Sequence, residues 1–153
     1  MPSLYTSIEI NAPQSLVWQV LYHKERWLYW NTFLYDSDPS LPFQPGQIVF
    51  LSLRRIPGED LTDFAPHVTW MEPIHGLQWV ATIPGLTCQS SFELQTVGRD
   101  RTQYIHQERF SGRLARWVLP FIREDEQRGI CRMAWELKDY AERHHQRAIA
   151  HPS

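Results

Sequence analysis

The segment Tyr104-Ile-His106-Gln-Glu108-Arg-Phe110 places a histidine and a carboxylate two positions apart. On a strand, alternate residues share a face, so Tyr104, His106, Glu108 and Phe110 point one way. Ile105, Gln107, Arg109 and Ser111 point the other way, and that mostly polar set suits solvent. His106 and Glu108 then face an interior, where a charge must be paired, hydrated or neutralised. Three roles follow. The pair can hydrogen-bond the polar head of a ligand, act as acid and base on a substrate, or satisfy itself as a structural contact.

Other residues could line the same interior. Leu77, Trp79 and Ala81 alternate on one segment, Ser90, Phe92 and Leu94 on the next, and Val68 and Trp70 on the one before. Either they pack as an ordinary core or they enclose a guest. Gly129 interrupts a helical apolar stripe, where glycine costs about 1 kcal/mol relative to alanine. It admits a close neighbour or leaves room for a guest. Asp125 lies four residues earlier and points along that stripe or out to solvent; Met133 lies four residues later. Trp27, Trp30 and Phe33 can act as a lid or close one end of a core. His67, His75 and His106 lack metal-ligand spacing, and no Gly-rich phosphate loop or nucleophile elbow is present, so no metal or cofactor is expected.

These residues need elements to hold them. Ser3 to Ile10 alternates as a strand. Asn11-Ala-Pro13 reads as a helix start, with Asn11 as cap, and Leu16, Val17, Val20 and Leu21 form one face of the helix that follows. A second short helix spans Glu25 to Asn31, and residues 36–46 form a loop rich in Pro, Asp and Ser. Five strands follow: 48–55, 62–71 with Pro66 at an edge or bulge, 77–83, 87–97 and 102–111. Short turns between strands argue an antiparallel meander. After Gly112 the period becomes helical through Leu114, Trp117, Val118, Phe121, Ile122, Ile130, Met133, Leu137 and Ala141. A helix of about 30 residues is about 45 Å long, enough to cover a sheet. Pro120 kinks it or opens its main segment.

The order of these elements resembles the START-like (SRPBCC) superfamily, in its polyketide cyclase/dehydrase branch. The resemblance rests on Ile10-Asn-Ala-Pro13 with Val17-Trp18 and Val20-Leu21; on Arg26-Trp27 with Trp30-Asn31; and on Pro45-Gly46, Leu77-Gln-Trp79, Phe92-Glu-Leu94, His106 to Gly112 and Arg128-Gly129. It covers the chain up to Arg143. It implies an α+β helix-grip fold: a curved antiparallel six-stranded sheet with two short helices and a long C-terminal helix enclosing a cavity. Residues 1–143 form that single domain, and residues 144–153, with His144, His145 and His151, form a polar tail. The resemblance implies a small hydrophobic ligand such as a lipid, isoprenoid or aromatic polyketide. The ligand-binding set is Trp27, Trp30, Val68, Trp70, Trp79, Ser90, Phe92, His106, Glu108, Phe110, Asp125, Gly129 and Met133. A cyclase or dehydratase using His106 and Glu108 is the alternative, and a co-chaperone-like interaction module the third reading. The polar outward residues Gln78, Gln107, Arg109, Arg128 and Arg132 argue against the third.

Bulk properties bound these readings. A chain of 153 residues with 42% hydrophobic content and seven Trp can bury a full core. A net charge of -2 offers no basic field for nucleic acid or an anionic membrane. The apolar runs are too short to span a bilayer, and the N-terminus has no secretory pattern. Two cysteines, Cys88 and Cys131, form no disulfide framework; reduced, buried thiols in a cytoplasmic protein are expected. The oligomeric state is not specified by these features.

Overall fold

The computed structural model describes residues 2–151. Strand β1 (Ser3–Ile10) leads into helix α1 (Gln14–Tyr22) and a short 3-10 helix (Lys24–Tyr29). The expected cap at Asn11 is not formed. Pro13 holds the cap position in extended backbone, and the Asn11 N–H donates to Glu142 at 2.9 Å. Proline's fixed φ and missing N–H suit the place it takes. The 3-10 helix occupies the expected second helix. It buries Trp27, whose indole donates to the Leu21 carbonyl at 3.0 Å and meets Trp30 edge to face at 6.4 Å.

The rest of the chain supplies β2 (Leu34–Asp36), β3 (Leu51–Leu53), β4 (Thr62–Phe64), β5 (His67–Glu72), β6 (Gly76–Ile83), β7 (Leu86–Gly98), β8 (Arg101–Ser111) and helix α2 (Ala115–Ala150). Five strands form one antiparallel sheet in the order β1-β8-β7-β6-β5, and β2-β3-β4 form a smaller one. The expected six-stranded sheet is therefore divided. Pro66 is the physical reason, because it has no N–H to continue a ladder. The expected strand 62–71 breaks there, and its halves pair with different partners, β4 with β3 and β5 with β6. The expected strand 48–55 shortens to Leu51–Leu53, with Ile48 making one isolated bridge to His67.

Register lines up the interior side chains. Leu4, Glu108, Ser90, Trp79 and Val68 form one row across the large sheet, and His106, Phe92 and Leu77 form the next. A bulge between Val68 and Trp70 breaks the alternation on β5. Val68 is buried, but Trp70 turns outward and is exposed, contrary to the inward position expected for it.

Helix α2 lies along β1, where Gln127 and Lys138 each donate to a β1 carbonyl, Tyr5 and Glu9, at 2.9 Å. Its start follows from a close approach. Gly112 has φ +103°, and a Cβ there would stand 2.5 Å from the Gly85 carbonyl oxygen. Pro120 lies inside the helix rather than opening it, so the Arg116 carbonyl receives no i+4 hydrogen bond. Ile130, Met133, Leu137 and Ala141 are buried as expected, whereas Leu114, Trp117 and Phe121 face outward. The helix runs past the expected end at Arg143 through Ala150, so His144 and His145 are helical; Pro152 and Ser153 lie outside the described residues.

Gly129 receives an aromatic ring, not a guest. A Cβ built on it would lie 2.5 Å from Phe33 Cδ1. Phe33 is held there by Asn31, whose side-chain oxygen accepts from the Phe33 and Leu34 N–H groups at 3.0 and 2.9 Å. Gly129→Ala should therefore destabilise the chain by about 1–2 kcal/mol, overpacking outweighing the gain in helix propensity. Urea unfolding checks this, and Phe33→Ala should abolish the effect. An equal loss in both backgrounds would contradict the contact.

Candidate functional site

One cavity of about 260 Å³ lies between the large sheet, the small sheet and the first half of α2. Its apolar wall comes from Phe33, Leu34, Leu53, Phe64, Trp79, Ala81, Ile83, Leu86, Phe110 and Ile122. Its polar groups are Arg55, Thr62, Asp63, Thr82, Cys88, Ser90, Glu108 and Glu126. Strand alternation supplies Ser90, Glu108 and Phe110. The stacked rings of Trp79 and Phe43, 5.7 Å apart, fix the indole that faces the hollow.

Glu108 and Glu126 form the centre of the polar side. Both are buried. Ser90 Oγ donates to Glu108 Oε2 at 3.2 Å, while Oε1 receives no hydrogen bond from an N–H or hydroxyl among the described residues. Arg55 Nε donates to Glu126 Oε2 at 3.1 Å. Glu126 stands within hydrogen-bonding reach of Glu108, a bond that requires one of the two carboxyls to hold a proton. Burial lifts both well above the usual carboxylate range, Glu108 to about 7 and Glu126 to about 8, and their mutual repulsion adds to the shift of Glu126. Both carboxyls therefore hold their protons more tightly than exposed ones do, and Arg55 stands beside Glu126 as the counter-charge for the ionised form.

His106 is placed differently from Glu108. It is fully buried, packs on Phe92 with ring centroids 4.2 Å apart, and is not among the cavity-lining residues. Its Nε2 lies 3.6 Å from Glu108 Oε2, too long for a hydrogen bond, and neither ring nitrogen has a partner among the described residues. Burial pushes its pKa down to about 3, so the ring is neutral and makes no ion pair. Tyr104, next along the strand face, also has its hydroxyl unpartnered in the core.

Of the residues expected at a ligand site, Trp79, Ser90, Glu108 and Phe110 line the cavity. Val68, Phe92, Met133 and Trp27 are packed in the core, Gly129 is covered by Phe33, and Trp30 stacks on Tyr140. Trp70 is exposed. Asp125 is displaced by its neighbour Glu126, because the buried stripe of α2 runs back from Ile130 by four residues. That spacing was the available signal for Glu126. No local signal pointed to Arg55, which arrives from the connection after β3. Arg132, expected to face outward, donates to the Arg54 carbonyl at 2.8 Å and the Arg55 carbonyl at 3.3 Å, and thereby holds that connection against α2. Burial, with the nearby Glu108 and Glu126 carboxyls, keeps the Cys88 thiol protonated; both Cys88 and Cys131 are free. Among the described residues no cluster of three or more His, Cys, Asp or Glu side chains is placed to hold a metal ion.

No protein-family model and no curated protein matches the sequence. Solved structures do share its architecture. The Zhui aromatase/cyclase from Streptomyces sp. R1128 superposes with a TM-score of 0.66 at 17% identity, covering 97% of this chain and 95% of that one. Norcoclaurine synthase from Thalictrum flavum, solved with dopamine and hydroxybenzaldehyde, gives 0.67 at 13% identity over 94% of this chain and 87% of that one. DynU16, a protein of the dynemicin biosynthetic locus, gives 0.64 at 20% identity over 92% of this chain. The chain spans about half of DynU16, 47% of its length. At these identities the likeness establishes the fold.

The buried groups link stability to pH with opposite signs. Glu108 and Glu126 hold protons more tightly when folded than at their ordinary value of 4.5, so their contribution falls as pH rises from about 4.5 through about 8. His106 holds its proton less tightly when folded, so it lowers stability below pH 6.5 and has no effect above it. Between pH 6.5 and 8 only the carboxyls act among these three. The urea midpoint should decline across that interval, and the decline should shrink in Glu108→Gln. An identical slope in the variant would remove the pair from the titration.

Proposed function

We propose that this chain, which has the START-like helix-grip fold, binds a small, flat, mostly apolar molecule bearing one hydrogen-bond donor, with the donor meeting Glu108. The observation that carries this reading is Glu108 Oε1, buried in the cavity wall with no N–H or hydroxyl donor among the described residues. A carboxylate oxygen left so is stabilised by any ligand hydroxyl or amine that reaches it. Size sets the class. An apolar cavity of about 150 Å³ accepts a benzene ring, so 260 Å³ suits a bicyclic aromatic or a short isoprenoid better than a full lipid chain. The apolar wall with a few polar groups matches the usual composition of small-molecule sites. The folds of an aromatase/cyclase and of norcoclaurine synthase are consistent with aromatic ligands.

The probe pair 2-naphthol and naphthalene tests this by titration calorimetry. The hydroxyl should strengthen binding by about tenfold, the usual size of a hydrogen bond to a charged group, and Glu108→Gln should remove most of that preference. Equal binding of the two probes in the parent chain would sink the reading.

A second reading, an aromatic-polyketide cyclase or dehydratase, is favoured by the carboxyl pair itself. Loss of water next to a carbonyl needs a base for the α-proton and an acid for the departing hydroxyl. Two carboxyls sharing one proton near neutrality can supply both. In this reading Glu108 and Glu126 carry the chemistry, and His106, held neutral against Phe92 outside the cavity wall, takes no part in it. Deuterium exchange at the α-carbon of 2-tetralone in heavy water reports it. Exchange above the buffer rate that falls at least about tenfold in both Glu108→Gln and Glu126→Gln supports catalysis. Exchange at the buffer rate in the parent chain argues against it.

A further inference from the structure

The wall of the cavity holds more acid than base. Apart from the protonated Cys88 thiol, its ionisable side chains are one cation, Arg55, against three acids, Asp63, Glu108 and Glu126. Arg55 is committed to Glu126, to which its Nε donates at 3.1 Å. It acts on Glu108 only at longer range. The other arginines nearby are engaged elsewhere. Arg132 donates to the Arg54 and Arg55 carbonyls, and Arg54 lies over the Tyr35 ring at 5.4 Å. His106, 3.6 Å from Glu108 Oε2, is kept neutral by burial. Among the described residues Glu108 thus has no cation paired with it, although it is buried in the wall. A buried carboxylate without a partner is costly, and a cation arriving with the guest removes that cost.

The remainder of the wall selects the kind of cation. Phe33, Phe64, Trp79 and Phe110 contribute aromatic rings, which attract a cation as well as an apolar body. A metal ion would leave those rings unused. The acceptors stand together on the opposite side of the guest's needs: Ser90 Oγ lies 3.2 Å from Glu108 Oε2, and Glu126 is within hydrogen-bonding reach of Glu108. An ammonium group has three N–H donors and no acceptor, so it can use all three residues at once. A hydroxyl has a single donor and uses one. Asp63 both lines the cavity and is exposed, so acid also stands at its rim, where an anionic guest would be repelled.

We propose that the ligand of this cavity is an organic ammonium: a primary amine on an apolar body of about bicyclic size, with the charged nitrogen at Glu108, Ser90 and Glu126. This inference rests on the ligand reading above and narrows its donor to a charged nitrogen. In binding, the ammonium takes the place of a proton on the carboxyl pair. The proton leaves for solvent, and the buried charge is paired in the free and in the occupied cavity alike.

The test uses 2-naphthylmethylamine and 2-naphthylmethanol, which differ in little but the charge. Titration calorimetry at about pH 7.5 keeps the amine cationic. The amine should bind at least about tenfold more tightly than the alcohol, as a charge-assisted bond does relative to a neutral one. It should also release more protons, read as a larger difference in binding heat between phosphate and Tris buffers at one pH. Glu108→Gln and, separately, Glu126→Gln should each remove most of the preference with unchanged circular dichroism. Glu93→Gln, at an exposed carboxyl on the sheet, should bind as the parent does. Equal affinities for amine and alcohol, a preference that survives both cavity variants, or an equal loss in Glu93→Gln overturns the proposal. Displacement of the amine by magnesium or calcium chloride at matched ionic strength overturns it as well, since that assigns the carboxyls to a metal ion. If 2-naphthol keeps its Glu108-dependent advantage over naphthalene while the amine does not exceed the alcohol, only the ammonium inference falls. If 2-naphthol has no advantage and the amine binds no better than the alcohol, both readings fall.

Discussion

The contact between Phe33 and Gly129 divides the interior of this protein in two. On one side of it α2 lies directly on the core, and Ile130, Met133, Leu137 and Ala141 exclude solvent. On the other side the helix passes over a hollow, and Ile122 and Glu126 look into it. Phe33 both fills the notch at Gly129 and walls the cavity. A larger residue at 129 would push the ring aside and alter the packed and hollow halves together. Asn31 locks the ring in place through two backbone hydrogen bonds, so the wedge is set by a short local motif.

Two carboxyls facing the same hollow are tolerated because they need not both ionise. Isolated buried charges are expensive, and like charges beside each other more so. Burial favours the protonated form of each, and Arg55 supplies a counter-charge at Glu126. Arg55 in turn depends on Arg132, which grips the carbonyls of Arg54 and Arg55 from α2. The polar side of the cavity is thus a chain of dependencies between the helix, the connection after β3 and β8. His106 lies outside that chain, neutral and packed on Phe92 in the core rather than in the cavity wall.

The first turns of α2 carry two apolar faces. Ala115 and Leu119 are buried against the fold, whereas Trp117 and Phe121 are exposed. The Leu114 N–H ties this end of the helix to the β6–β7 tip through the Gly85 carbonyl, beside the mouth that Ile83, Leu86 and Ile122 line.

Much of this was legible in the sequence. Period-two alternation determined that Tyr104, His106, Glu108 and Phe110 share an inner face, and period 3.6 determined the buried stripe from Ile130 to Ala141. The order of elements determined a helix gripped by an antiparallel sheet. These features are local, since they follow from geometry repeated along one segment. Tertiary structure decided the rest. Pro66 split one expected strand between two sheets, and a bulge turned Trp70 outward. Glu126 rather than Asp125 met Glu108, and Arg55 joined them from 71 positions away. Which side chain reaches which across the interior depends on register between distant segments and on where a helix stands off a sheet. No periodicity within a single segment encodes either.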